Sequence, residues 1–281
     1  SCLRSGHLVW GVDTNIDQVK AFCSQGGQAT TLNSVIDKID VVVVVVLNSV
    51  QTEEVLFGQE GLVENLKPGT VVISCATVAP TFAIDMERRC KEFEIFYLDA
   101  PISGGALKAK NGQLSIMASG VKEAFQHARP TLDSISETVF ELGDEAGVGS
   151  AMKSVNQLLA GVHIAVMAEA LTFGISQGIS PDKFVEVISK CAGTSWMLEN
   201  RAPHIVNGDY KPHSSINIWP KDLGIVLDVA LESKFNAPIA TAALEQFRTA
   251  VDMGLGFEDD AAVAKVYAKS ANLSLPKKND V

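Results

Sequence analysis

Two hydrophobic patterns divide the chain. Before about residue 146, short apolar runs alternate with amphipathic stretches, whereas beyond it every segment repeats its apolar residues at helical spacing. The chain opens on SCLRSGH, which reads as the end of an amphipathic helix closed by Gly6, and continues into LVWGVD, a strand ending at Asp13. A helix is expected over 16–25. Asp40 then introduces six consecutive valines and Leu47. So uniformly apolar a strand has both faces covered, as in a parallel sheet with helices on each side. Helical pieces over 52–57 and 62–66 lead to the turn Lys67-Pro68-Gly69 and the strand TVVIS. Pro80 opens a helix to about residue 90; strands follow at 94–99, QLSIMAS and 138–142, with a helix over 122–134 before the last. This alternation predicts an α/β class with a Rossmann-like, doubly wound parallel sheet over residues 1–146.

Residues 147–281 are expected to be all-helical. From Ala151 the sequence AMKSVNQLLAGVHIAVMAEALTFGISQG is apolar on almost every face, the pattern of a helix buried all round. At about 100° per residue, Asn156 and Gln157 flank Lys153, so the start of this rod carries one polar stripe. A lysine in the first helical turn opposes the macrodipole, and burial there favours the neutral amine that exchanges a proton with a hydroxyl. A lysine snorkelling to solvent is the competing reading. Further helices are expected from Ser180-Pro181 and over 195–206, 221–233, 238–253 and 259–270.

Composition narrows the function. The 281 residues carry a formal net charge of -10 with pI near 5.0, which argues against a nucleic-acid partner or an anionic membrane surface and for small-molecule work. Five cysteines are scattered without metal-ligand spacing, which suits reduced thiols in the cytoplasm. The histidines are equally dispersed, so His163, His204 and His213 are expected to be structural. Core packing is the first expectation for Trp196 and Trp219, with the cleft as the alternative. No run reaches the roughly 18 apolar residues of a membrane span.

In doubly wound sheets, ligands bind beyond the carboxyl ends of the strands. Asp13, residues 47–52, Ala76-Thr77 and APISGG at 100–105 lie there. Asp13 is placed to take ribose hydroxyls, or is a surface aspartate before a turn. Ser103-Gly104-Gly105 offers a hydroxyl and bare amides to a carboxylate, or is an ordinary glycine turn.

Three ordered motifs decide between these readings. DAPISGG at 99–105, GVGSAMKSVNQ at 147–157 and KDLG at 221–224 resemble the substrate, catalytic and cofactor motifs of the β-hydroxyacid dehydrogenase family, which includes 3-hydroxyisobutyrate dehydrogenase and tartronate semialdehyde reductase. The resemblance covers essentially the whole chain. It implies Lys153 as the acid/base residue with Asn156 positioning substrate and lysine. Ser103, Gly104 and Gly105, with Gln157, would hold the substrate, and Leu47, Asn48, Thr52, Thr77 and Lys221 would line the cofactor. Two departures stand out: the family often has an Asn pair where Asn156-Gln157 stands, and Leu-Pro where Leu47-Asn48 stands. GTSWMLENRAPHIVNGDYKPHS and NQLLAGVHIAVMAEA resemble the L-threonate dehydrogenase branch, which implies oxidation of a short hydroxy acid to a keto acid; 3-hydroxyisobutyrate, tartronate semialdehyde and a non-catalytic sugar-acid binder are the alternatives. A carboxylate at Asp13 repels a 2′-phosphate, so NAD is the expected cofactor. The family's helical half commonly forms its dimer interface, so a homo-oligomer is expected.

The sequence holds no GxGxxG. In this fold that glycine turn follows a central strand, so the sequence leads us to expect a preceding strand and loop outside the 281 residues.

Overall fold

The computed structural model describes residues 1–29 and 34–278 and divides into two compact units, Ser1–Lys153 and Ser154–Val281. The division falls inside one helix, Val148–Ser176, a few residues beyond the join expected near Ala146.

The first unit is built on parallel strands β3 (Val41–Val44), β4 (Val71–Ser74) and β5 (Phe96–Asp99), hydrogen-bonded in that order. The central strand β4 is buried at every residue, as a strand paired on both sides and covered on both faces must be. The valine run behaves differently: it is strand only to Val44, while Val45 and Leu47 are 66% and 63% exposed. LVWGVD likewise contracts to β1 (Trp10–Gly11), paired in parallel with β2 (Gln28–Ala29) as a separate ribbon. Apolar sequence alone does not hold extended backbone where there is no neighbouring strand to pair with.

Three more strands, β6 (Ile102–Ser103), β7 (Leu114–Ala118) and β8 (Ser136–Glu141), form a second sheet joined to β5 through the bridge between Asp99 and Ser119. The sheet is therefore not parallel throughout, because β6 runs antiparallel to β7. Residues 104–113 are fewer than the dozen or more that a parallel crossover needs.

Helices cover both faces. The first unit contains α1 (Ile16–Cys23), α2 (Ser49–Phe57), α3 (Pro80–Lys91), α4 (Gly105–Asn111) and α5 (Lys122–Ile135). Leu56, Met86 and Cys90 pack with Tyr97 on one side of the sheet; Phe125 and Leu132 pack with Ile73, Leu98 and Ile116 on the other. The short α4 was not anticipated.

The second unit contains the rest of α6 (Val148–Ser176), α7 (Pro181–Ile188), α8 (Trp196–Val206), α9 (Ile218–Glu232), α10 (Pro238–Asp252) and α11 (Ala264–Ser270). Its core joins Ile164, Met167 and Leu171 of α6 to Leu198, Trp219, Leu223 and Phe247. Gly161 lets α9 approach closely: a Cβ there would lie 2.9 Å from the Trp219 ring. The helix α6 is long and apolar enough, by length and composition, to cross a membrane, which corrects the expectation that no run reaches that length; here it supplies this core.

Two consecutive buried carboxylates brace the unit. Asp260 accepts from Arg201 Nε at 2.6 Å and Trp219 Nε1 at 3.1 Å, and Asp259 from His204 Nδ1 and the His213 amide, both at 2.9 Å. His204 and His213 are thus structural, as expected, and Trp219 belongs to the core while Trp196 is 60% exposed. All five cysteines are unpaired; burial pushes the Cys75 and Cys90 thiols up to about 12, which leaves them inert.

Candidate active site

Strand β5 ends on Asp99, only 1% exposed, and this carboxylate starts α6. Its Oδ2 accepts from the amides of Gly147 (2.9 Å) and Ser150 (2.8 Å), and its Oδ1 from Ser150 Oγ (2.7 Å). Backbone N–H groups of a first helical turn have no intrahelical acceptor, and a negative charge there also meets the positive end of the macrodipole. Gly147 permits the approach with φ 101°, and a Cβ at that position would lie 2.9 Å from Ile84. Burial raises the Asp99 carboxyl above the usual carboxylate range while the three donors pull it back.

This cap fixes Lys153. Because α6 begins at Val148, the lysine occupies the second turn rather than the first, so the opposing dipole is weaker than the sequence suggested. Burial is as expected: Lys153 is 7% exposed, and its Nζ donates to the carbonyl of Ile102 at 2.8 Å, turned inward rather than snorkelling to solvent. Ile102 immediately precedes Ser103-Gly104-Gly105. Gly104 and Gly105 have φ 131° and 71°, conformations that side-chain-bearing residues rarely adopt, and a Cβ at Gly104 would also meet the Lys108 side chain at 2.9 Å. The amine and the hydroxyl-and-amide cradle are therefore neighbours in one unit.

The proposed cofactor residues of this unit have unequal environments. Asp13 is exposed, with Oδ1 accepting from the Asn15 amide at 2.7 Å in the turn that starts α1. Leu47 donates its amide to Gln51 Oε1 (2.8 Å), and Asn48 caps α2 by accepting from the Gln51 amide (2.9 Å). Thr52 is fully buried with its hydroxyl donated to the Asn48 carbonyl (2.8 Å), so it braces the loop and presents no surface. Thr77 is half-buried in the segment after β4.

In the helical unit, Asn156 and Gln157 meet Lys221 and Asp222. Asn156 Nδ2 donates to Gln157 Oε1 at 2.8 Å, and Gln157 Nε2 donates to Asp222 Oδ2. The other Asp222 oxygen lies 2.5 Å from Lys221 Nζ in an ion pair. Gln157, expected at the substrate, is 7% exposed and engaged with these neighbours. Sequence reasoning quoted Asp99 and Asp222 within motifs and gave neither a role. The signal for Asp99 was available: an acid closing an apolar strand, and a helix start, GVGS, with no Asp, Asn or Thr of its own to cap it.

Known proteins match both units of the chain. The NAD binding domain of 6-phosphogluconate dehydrogenase matches residues 1–143, and the NAD-binding domain of NADP-dependent 3-hydroxyisobutyrate dehydrogenase matches 147–267. L-threonate dehydrogenase of Cupriavidus necator is 45% identical over 95% of this chain and 90% of its own length; that of Escherichia coli K12 is 42% identical over 95% and 89%. A crystal structure of 3-hydroxyisobutyrate dehydrogenase from Salmonella typhimurium is 40% identical, covers 94% of this chain and 93% of its own, and superposes with a TM-score of 0.89. With both units matched and relatives above 40% identity along nearly the whole sequence, the chain belongs to the β-hydroxyacid dehydrogenase family.

Proposed function

We propose that the protein oxidises a short, polyhydroxylated acid, L-threonate, to the corresponding keto acid with NAD as hydride acceptor. The observation that carries this reading is the buried Lys153 amine held on the Ile102 carbonyl, one residue from the Ser103-Gly104-Gly105 cradle. Relatives named L-threonate dehydrogenase supply the substrate class. The Salmonella structure named 3-hydroxyisobutyrate dehydrogenase, at 40% identity, favours that acid as the second reading.

The donor set of the first unit suits a dinucleotide: a solvent-facing carboxylate, Asp13, past a parallel strand for ribose hydroxyls, and Thr77 past β4 for the nicotinamide end; Lys221 of the helical unit is the further cofactor residue that the family motif implies. Bound NAD supplies the hydride acceptor. The chain's own residues do the rest. Ser103 Oγ and the Gly104 and Gly105 amides hold the acid's carboxylate, and the Lys153 amine takes the proton from the hydroxyl oxygen as the carbon bearing that hydroxyl gives up its hydrogen as hydride, leaving a carbonyl. The Ile102 carbonyl accepts from the resulting ammonium.

A panel of L-threonate, 3-hydroxyisobutyrate and other three- and four-carbon hydroxy acids, followed by NADH absorbance, tests the reading. L-Threonate with NAD is expected to give the highest kcat/KM, with NADP far behind. Asp13→Ala is expected to narrow that cofactor ratio by about tenfold, the worth of one charge-assisted hydrogen bond. Turnover of none of these acids would overturn the function, and an unchanged ratio the role of Asp13.

The same reading includes a cytoplasmic homo-oligomer built by the helical half. Val155, Leu159, Val166 and Phe173 of α6 lie within a narrow arc and are each 50% exposed or more, an apolar stripe suited to a second copy. Light scattering should give a multiple of 29.9 kDa that Leu159→Glu shifts towards the single chain; a wild-type monomer at micromolar concentration would refute it.

A further inference from the structure

We propose that Gln157 is a positioning residue that fixes which atom Asn156 presents to the substrate. The inference rests on the proposed dehydrogenase function and goes beyond it by accounting for the glutamine in the second position of the pair. A carboxylate can only accept hydrogen bonds, and Asp222, paired at 2.5 Å with the Lys221 ammonium, therefore obliges Gln157 to turn its Nε2 towards it. That orientation leaves Gln157 Oε1 facing Asn156. An amide oxygen also only accepts, so Asn156 must turn its Nδ2 inward, as its 2.8 Å donation shows. The Asn156 oxygen is then the atom on the outer side.

Polarity thus runs one way from the Lys221–Asp222 pair, through a side chain that is 7% exposed, to the half-buried Asn156. The result is an acceptor where a substrate hydroxyl brings a donor. An asparagine alone would choose between its two amide orientations at little cost, since oxygen and nitrogen have nearly the same shape. Asparagine at position 157 would be one methylene short of spanning the gap between Asn156 and Asp222. Gln157 need not touch the substrate to act in this way.

The decisive measurement is a double-mutant cycle on the full chain with Gln157→Met, which keeps length and volume, and Asn156→Ala. Gln157→Met is expected to lower kcat/KM for L-threonate by about 10- to 100-fold, the loss of one oriented hydrogen bond in a desolvated site. NADH affinity should stay within about threefold. Because Gln157 works through Asn156, the double variant should be no slower than Asn156→Ala alone. Additive losses, or a Gln157→Met enzyme within threefold of wild type, would overturn the proposal. A second readout needs no turnover: the Asn156 side-chain amide protons, followed by 15N NMR, should exchange slowly in wild type and quickly in Gln157→Met. Unchanged exchange would refute the network even if the enzyme acts on a different acid. Slow exchange in an enzyme inactive on every acid would sink the functional reading and leave the network standing.

Discussion

Lys153→Ala is expected to lower kcat by about a thousandfold or more, within the range that positioned acid–base groups contribute. The amine is 7% exposed and held at 2.8 Å on the Ile102 carbonyl, so solvent does not replace it readily. NADH affinity should change by less than about threefold, because Lys153 Nζ reaches the Ile102 carbonyl, next to Ser103-Gly104-Gly105, where the acid rather than the dinucleotide is proposed to bind. Lys153→Arg should not restore activity: the guanidinium stays charged at all working pH values and cannot accept a hydroxyl proton. Small primary amines added to Lys153→Ala should recover part of the rate, since the cavity left behind lies against the cradle. Near-normal kcat in Lys153→Ala, measured by NADH formation at saturating acid, would remove the amine from the chemistry and with it the central assignment.

How much of this could be read from residues alone follows from range. Patterns governed by neighbours a few positions apart were legible: the alternation of strand and helix, the proline starts of α3 and α7, and the buried rod that becomes α6. Strand length was not, because a strand is as long as its pairing partner allows. Six valines yield only a four-residue β3, and LVWGVD only Trp10–Gly11. The site divides in the same way. Lys153, Ser103 and the two glycines stand out in sequence as candidates for chemistry, and Lys153 reaches the carbonyl that immediately precedes Ser103. Asp99 and Asp222 did not stand out, since their meaning depends on partners 51 and 65 residues away. Gln157 stood out only as a departure in a substrate motif; its bridge from Asn156 to Asp222 depends on a contact that the sequence pattern does not reveal.

Asp99 carries the second large effect. In Asp99→Ala two buried amides, those of Gly147 and Ser150, lose their acceptor, and at about 1–3 kcal/mol for each unsatisfied group the variant should be destabilised by about 3 kcal/mol or more. The start of α6 frays with it, and Lys153, three residues past Ser150, loses its fixed reach to Ile102; kcat should fall even where the fold survives. Asp99→Asn separates charge from geometry. Its oxygen can take both amides, and its NH₂ can donate to Ser150 Oγ, so the hydrogen bonds persist without the buried charge. The pH dependence follows from the raised carboxyl of Asp99, which burial lifts above its unfolded value. A raised carboxyl favours the folded state fully below the unfolded value, near pH 4, and that contribution is lost as pH rises through the folded value. Wild type should therefore lose more stability than Asp99→Asn between about pH 4 and neutrality, as measured by urea midpoints across that range. Parallel curves for the two proteins would mean that Asp99 ionises as easily folded as unfolded, with the amides of the first turn fully compensating its burial.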